Sequence, residues 1–130
     1  MFKFSRNLDG SNHEKYDEFP VTASENYKHG EALVLANGAL TKCGATTVPT
    51  HICACDYTAP TSGGKVAAYP IFKGYELETT LSALGTSLAV GSKVTLSADA
   101  LQVTATTSSG VAEIVSMDGT AAGSKVIVKF

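Results

Sequence analysis

His51, Cys53 and Cys55 occupy alternate positions, with Cys43 upstream, and these four residues are the set in the chain that most invites a zinc hypothesis. A structural zinc site needs four thiolate or imidazole ligands in a tetrahedron, usually carried on short Cys-x2–4-Cys hooks in turns. Alternation along an extended segment puts His51, Cys53 and Cys55 on one face, but in a straight line that does not wrap an ion. Ser62-Gly63-Gly64-Lys65-Val66 has the look of a phosphate loop, yet Ala59 and Val66 stand where the motif needs Gly and Ser or Thr. The acid-rich run from Asp9 through His13, Glu14 and Asp17 to Glu18 has the density of a calcium loop. Glu14 and Pro20 hold the places that require Gly and Glu, so these side chains read as solvated charges. Glu76 and Glu78 alternate as a solvated strand face does. There is no Gly-x-Ser-x-Gly elbow, and His13, His29 and His51 lie in no nucleophile motif. The chemistry points to a protein that is not an enzyme and holds no metal or cofactor.

The elements that carry these residues fall into two regions. Residues 1–31 hold ten of the 22 charged groups and half of the ten aromatics. Only Leu8 and Val21, of 25 Ile, Leu and Val residues, precede residue 30. Residues 1–29 therefore read as an extended N-terminal arm whose aromatics dock on a neighbour. From residue 30 onward, short runs rich in Val, Thr and Leu are punctuated by Gly, Asn and Asp, the pattern of an all-β fold. Asn37-Gly38 suits a type I′ turn, which predicts a hairpin between Leu33–Ala36 and Ala39–Lys42. Further strands are expected over 51–57, 65–72, 93–98, 101–106, 111–117 and 124–130, with an edge or bulge at Pro70, which has no N–H. Leu77, Leu81 and Leu84 follow an i, i+4, i+7 spacing, leaving a short helix open for 76–88.

The later region repeats itself. Gly30 to Leu40 aligns without a gap on Gly91 to Leu101, and His51 to Ala59 aligns on Glu113 to Ala121. Lys65-Val66 then aligns on Lys125-Val126, making ten identities in all, among them the Asp-x-Thr-Ala turns at Asp56 and Asp118. The reading is a pseudo-twofold β-barrel or sandwich of about eight strands with one core over residues 30–130. Its halves are 30–69 and 91–129, joined by a crossover at 70–90. The repeat also settles the cysteines: Cys53 and Cys55 align with Val115 and Met117, so they behave as small core residues. An odd thiol count fits a reducing compartment without disulfides.

Composition excludes whole classes. The chain has 130 residues with a net charge of −2, one Arg and no Trp, and Ala, Thr, Ser and Gly fill 56 positions. A nucleic-acid binder would carry a basic face. No apolar run approaches the ~20 residues of a membrane span, and the N-terminus has no apolar signal-peptide core.

Gly30 to Thr41, Gly91 to Leu96, and Gly110-Val111-Ala112-Glu113-Ile114-Val115 with the closing Gly123 to Phe130 carry a family resemblance. Together with the Ala/Thr/Gly-rich β pattern, they are similar to the small capsid-decoration (head-stabilising or cement) proteins of tailed bacteriophages and prophages. The resemblance implies a virion protein made in the host cytoplasm. It would bind the major capsid protein on the outer capsid surface, often as a homotrimer at local three-fold sites, and stabilise the head lattice. N-terminal segments often make capsid contacts in that family, so Phe2, Phe4, Arg6, Tyr16, Phe19 and Tyr27 are the expected contact residues. The alternative is a tail or head-fibre adhesion module binding a host surface or glycan, with Tyr57, Tyr69, Phe72, Tyr75 and Phe130 as its stacking platforms.

Overall fold

A computed structural model describes residues 1–12 and 15–130. Its strands, in chain order, are β1 (Lys3–Asn7), β2 (Asp17–Val21), β3 (Asn26–Tyr27), β4 (Ala32–Ala36), β5 (Ala39–Lys42) and β6 (His51–Cys53). They continue with β7 (Tyr57–Thr58), β8 (Gly64–Pro70), β9 (Tyr75–Thr80), β10 (Lys93–Val94), β11 (Ala112–Met117) and β12 (Lys125–Lys129). The chain is all-β, as its Val/Thr-rich alternation requires. A closed barrel runs β2-β5-β4-β6-β8, a five-stranded sheet runs β1-β9-β12-β11-β10, and β3 pairs with β7.

The β4–β5 hairpin turns at Asn37-Gly38, with φ of 52° and 80°. Both central residues of a type I′ turn need positive φ, and Asn and Gly adopt it at least cost. Pro70 is the last residue of β8, a strand end that tolerates its missing N–H. Residues 76–88 are not helical. Tyr75, Leu77, Thr79 and Leu81 alternate inward along β9 and its exit, while Leu84 is exposed. A spacing of four is a multiple of two as well as about one helical turn, and here the strand period prevails.

The two similar halves are present, but they do not face each other across one barrel. Within the first half the order β5-β4-β6-β8 builds the closed barrel. In the second, β10-β11-β12 sit in the same relative order in the other sheet, and Leu96 bridges Val103 antiparallel where Leu35 pairs Leu40. The repeat also reaches further than the sequence indicates. β2 pairs antiparallel with β8 and ends in a parallel pairing of Val21 with Leu40. β9 pairs antiparallel with β12, and Leu81 just beyond it bridges Val103 in parallel. Even the next hydrogen bond recurs: Thr22 N–H donates to the Leu40 carbonyl, and Ser82 N–H to that of Val103. Each unit is thus β2-β4-β5-β6-β8 or its counterpart beginning at β9, which draws on both the N-terminal segment and the crossover. The described residues form twelve strands where about eight were expected, because β1, β2, β3 and β9 are added, 51–57 divides into β6 and β7, and 101–106 gives only bridges at Val103.

The described residues among the first 29 are tied into the fold by strand pairing and do not form a free arm. β1 lies along β9, β2 closes the barrel, and β3 pairs with β7. Few aliphatics are needed for this, because backbone pairing and buried aromatics do the anchoring. Phe2 and Tyr27 are both 2% exposed. Phe2 N–H donates to the Gly30 carbonyl at 2.8 Å, and Gly30, at φ 77°, has no Cβ to collide with the Met1 side chain.

Two apolar clusters replace the single core. One, around Val21, Leu33, Leu40, Cys53, Val66 and Ala68, fills the closed barrel. The other, around Phe2, Ile52, Tyr69, Leu77, Leu96 and Ile114, lies between the barrel and the second sheet. Strand alternation supplies both at once: Leu33, Cys53 and Ala68 point into the barrel, and their neighbours Ala32, Ile52 and Tyr69 point to the other cluster. The halves therefore share walls.

Candidate functional site

Where the N-terminal strand crosses the barrel, the surface folds into a cleft of about 230 Å³. β1 and the residue before it contribute Phe2, Lys3 and Phe4, and Tyr16 comes from the approach to β2. His29 stands on the turn between β3 and β4, Ile52 and Cys53 on β6, and Tyr69 on β8. Phe2, Ile52, Cys53 and Tyr69 are buried and form the floor, whereas Lys3, Tyr16 and His29 are exposed at the rim.

Local chemistry fixes each wall. Gly30 turns the chain so that His29 faces the N-terminal strand, and Asp56 holds that turn by accepting the His29 N–H at 2.8 Å. Asp56 belongs to the repeated Asp-x-Thr-Ala turn, so here the repeat has a local task. The Phe4 ring meets Tyr75 edge-on at 5.2 Å, which fixes the strand face that Phe4 presents. Burial pushes the Tyr69 phenol up to about 12, with the neighbouring Tyr16 and Tyr75 adding to the rise and a backbone bond from Phe4 opposing it. Burial likewise pushes the Cys53 thiol up to about 11, and that thiol donates to the Cys55 carbonyl at 3.1 Å. At neutral pH the floor is thus uncharged, and the rim carries Lys3, in register opposite Glu78, and His29 beside Asp56.

The expected contact residues part company here. Phe2, Phe4 and Tyr16 converge on the cleft. Arg6 lies further along β1, where Nε donates to Glu76 Oε2 and Nη2 to Oε1 at 3.3 Å, neutralising a carboxylate that is only 3% exposed. Phe19 packs its ring on His51 at 4.5 Å, and burial lowers the pKa of that imidazole. The Tyr27 hydroxyl is buried against the Leu40 carbonyl at 2.9 Å and Glu25 Oε2 at 2.8 Å, and burial raises its pKa. Phe2 and Tyr27 are thereby interior residues of this chain, not outward anchors. Tyr16, 61% exposed, is the most exposed aromatic among the expected contact residues. Lys3, His29 and Ile52 had no signal in the sequence, and Cys53 and Tyr69 stood out there for other roles, because these residues meet only through strand pairing.

Among the described residues, no three His, Cys, Asp or Glu side chains gather to hold a metal ion. All three cysteines are free thiols; Cys43 donates to the Thr47 carbonyl at 3.0 Å. His13 and Glu14 of the acid-rich run lie outside the described residues. Glu31, 1% exposed, accepts the Lys28 N–H at 2.8 Å and meets Lys42 Nζ at 3.2 Å. Burial holds its carboxyl above the usual range against both contacts. Among the described residues no helix is long and apolar enough to cross a membrane.

No protein-family model matches the sequence, and no curated protein matches it.

Proposed function

We propose that this protein is a virion structural component of a tailed phage or prophage. In this reading it binds the major capsid protein on the outer surface of the head and stabilises the lattice. What supports it most is the way the segments with the family resemblance are used. Gly30 to Thr41 forms the β4–β5 hairpin, Gly91 to Leu96 enters through β10, and Gly110 to Phe130 supplies β11 and β12. The resemblance thus runs through the repeated unit itself and not through a loop. The fold leaves large apolar side chains in solvent at its loops: Leu8, Val48, Phe72, Leu84 and Val90 are each 46–67% exposed. Leu8 and Phe72 lie at one end of the molecule, where the Leu8 N–H meets the Gly74 carbonyl and Phe72 leans on Tyr75. Single exposed apolar side chains are ordinary, so the weight rests on Leu8 and Phe72, which come together at that hydrogen bond.

Pelleting tests the proposal. The purified protein is mixed with empty capsids assembled from the major capsid protein of the phage or prophage that carries its gene, and then sedimented. Saturable co-sedimentation at a fixed ratio is expected. Protein that stays in the supernatant at micromolar concentration, with capsids intact, contradicts it. Deleting the first 28 residues is not a usable control, since it removes β1, β2 and β3 from the fold.

A further inference from the structure

We propose that Glu25, Tyr27, Glu31 and Lys42 form an acid-tightened clasp, which binds β3 and the turn after it to β5 more firmly as the pH falls. The second unit of the repeat builds the same turn without charge. Glu31 N–H donates to the Lys28 carbonyl at 3.0 Å, and the Glu31 carbonyl accepts the Cys53 N–H at 2.9 Å. Ser92 N–H donates to the Ala89 carbonyl at 3.0 Å, and the Ser92 carbonyl accepts the Ile114 N–H at 2.9 Å, so Ser92 is the counterpart of Glu31. Both side chains reach back three residues: Glu31 Oε2 accepts the Lys28 N–H at 2.8 Å, and Ser92 Oγ the Ala89 N–H at 3.0 Å. A hydroxyl is therefore enough to hold the turn. Four residues before each stand Tyr27 and Leu88, both buried. Two residues beyond the matched Leu40 and Val103 carbonyls stand Lys42 and Ala105. The carboxylate and ammonium of the first unit replace neutral groups that serve the same fold.

Glu31 is 1% exposed, and its Oε1 meets Lys42 Nζ at 3.2 Å. Its other neighbours come from several elements. Glu25 precedes β3 and accepts the Tyr27 and Thr41 hydroxyls and the Lys42 N–H, which ties β3 to β5. The Cys53 thiol of β6 feels the charges of both Glu31 and Asp56, and Asp56 in turn accepts the His29 N–H within the same turn. Burial holds the Glu31 carboxyl above its ordinary 4.5, the charge of Glu25 adds to the rise, and the Lys28 amide and Lys42 oppose it. Opening the turn puts Glu31 in water and returns it to its ordinary value, so the closed form binds the proton more tightly. That gain is complete below pH 4.5 and is lost as the pH rises through the folded value. Acid thus tightens a turn that carries Gly30, whose carbonyl accepts the Phe2 N–H at 2.8 Å and so seats the chain entering β1.

The test is native-state amide exchange of the intact protein between pH 7 and 4.5, corrected for intrinsic rates, with the second unit as the control. Protection of the Lys28, Gly30 and Glu31 amides is expected to rise as the pH falls, by up to about tenfold per pH unit, the limit for one proton. Protection of Ala89, Gly91 and Ser92 should not rise. Glu31→Gln should abolish the rise and leave the turn at pH 7 close to the protection that the wild type reaches in acid. Lys42→Met should move the rise to higher pH, and His29→Gln, which removes the imidazole of the same turn, should leave it in place. In the wild type, the Glu31 carboxyl carbon followed by NMR should titrate with a midpoint above 4.5. A flat or falling profile at the three amides, an equal rise in the second unit, or a rise that survives Glu31→Gln would overturn the proposal. So would a rise unmoved by Lys42→Met, one lost in His29→Gln, or a carboxyl midpoint at or below 4.5.

Discussion

Replacing Phe2 with Ala asks whether the N-terminal segment belongs to the fold. Phe2 is 2% exposed, packs in the cluster between the barrel and the second sheet, and sets its ring 5.9 Å from that of Phe130. Truncating a buried Phe costs about 3–5 kcal/mol, through lost transfer energy and the cavity left behind. β1 is the edge strand of its sheet, so it can fray instead of leaving a hole, and the lower figure, about 3 kcal/mol, is expected. For a domain of this size that corresponds to a fall in Tm on the order of 10 °C. The assay is urea unfolding followed by far-UV circular dichroism, with Tyr16→Ala as control. Tyr16 is 61% exposed, and its truncation should stay within about 0.5 kcal/mol. If residues 1–29 were a detachable arm, the Phe2 variant would match that control. A loss below about 0.5 kcal/mol with an unchanged m-value would therefore refute the placement of β1.

Three further outcomes follow from the interior. His51 has a folded-state pKa lowered by burial from its ordinary 6.5, so the unfolded chain takes up its proton first. Its contribution is present above pH 6.5 and is lost as pH falls through the folded value, so acid titrations of stability should decline less steeply below pH 6.5 in His51→Gln. An unchanged slope would show that other groups govern the decline. Tyr27→Phe removes a buried hydroxyl bonded to Leu40 and Glu25 and should cost about 1–2 kcal/mol by urea unfolding, a value under 0.5 contradicting that role. Burial pushes the Cys43 and Cys53 thiols up to about 11, while Cys55 is half-buried. Ellman's reagent should label Cys55 first and the other two only on unfolding, and prompt labelling of three thiols would contradict the buried sites.

Much of the fold was readable because the informative signals are local. Asn37-Gly38 encodes its own turn, and alternating Val and Thr encode strands. The alignment of Cys53 with Val115 placed that thiol in a core without coordinates. The N-terminal segment misled because aliphatic density is a poor measure of pairing. β1 and β2 are held by neighbouring backbones and by Phe2, Val21 and Tyr27, one side chain at a time. Pro20 and Glu18 also explain how β2 ends one side of its pairing. Alternation along the strand sends their amide positions to the side of Thr22; Pro20 has no N–H, and the Asp17 side chain accepts that of Glu18 at 2.8 Å. A strand so blunted gives little sequence sign of being a strand at all. The extension of the repeat to β2 and β9 was hidden for a similar reason. Their pairings coincide, yet Glu18 and Glu78 are the identity left between them. The cleft had no local signature, since its walls come from β1, β6, β8, the approach to β2 and a turn, which meet only after folding.

Cryo-electron microscopy of capsids saturated with the protein tests the central claim most directly. The account predicts ordered density for the two-unit fold on the outer head surface, as trimers at local three-fold positions. Heads that show no added density at saturating concentration, or density confined to tails, would contradict it.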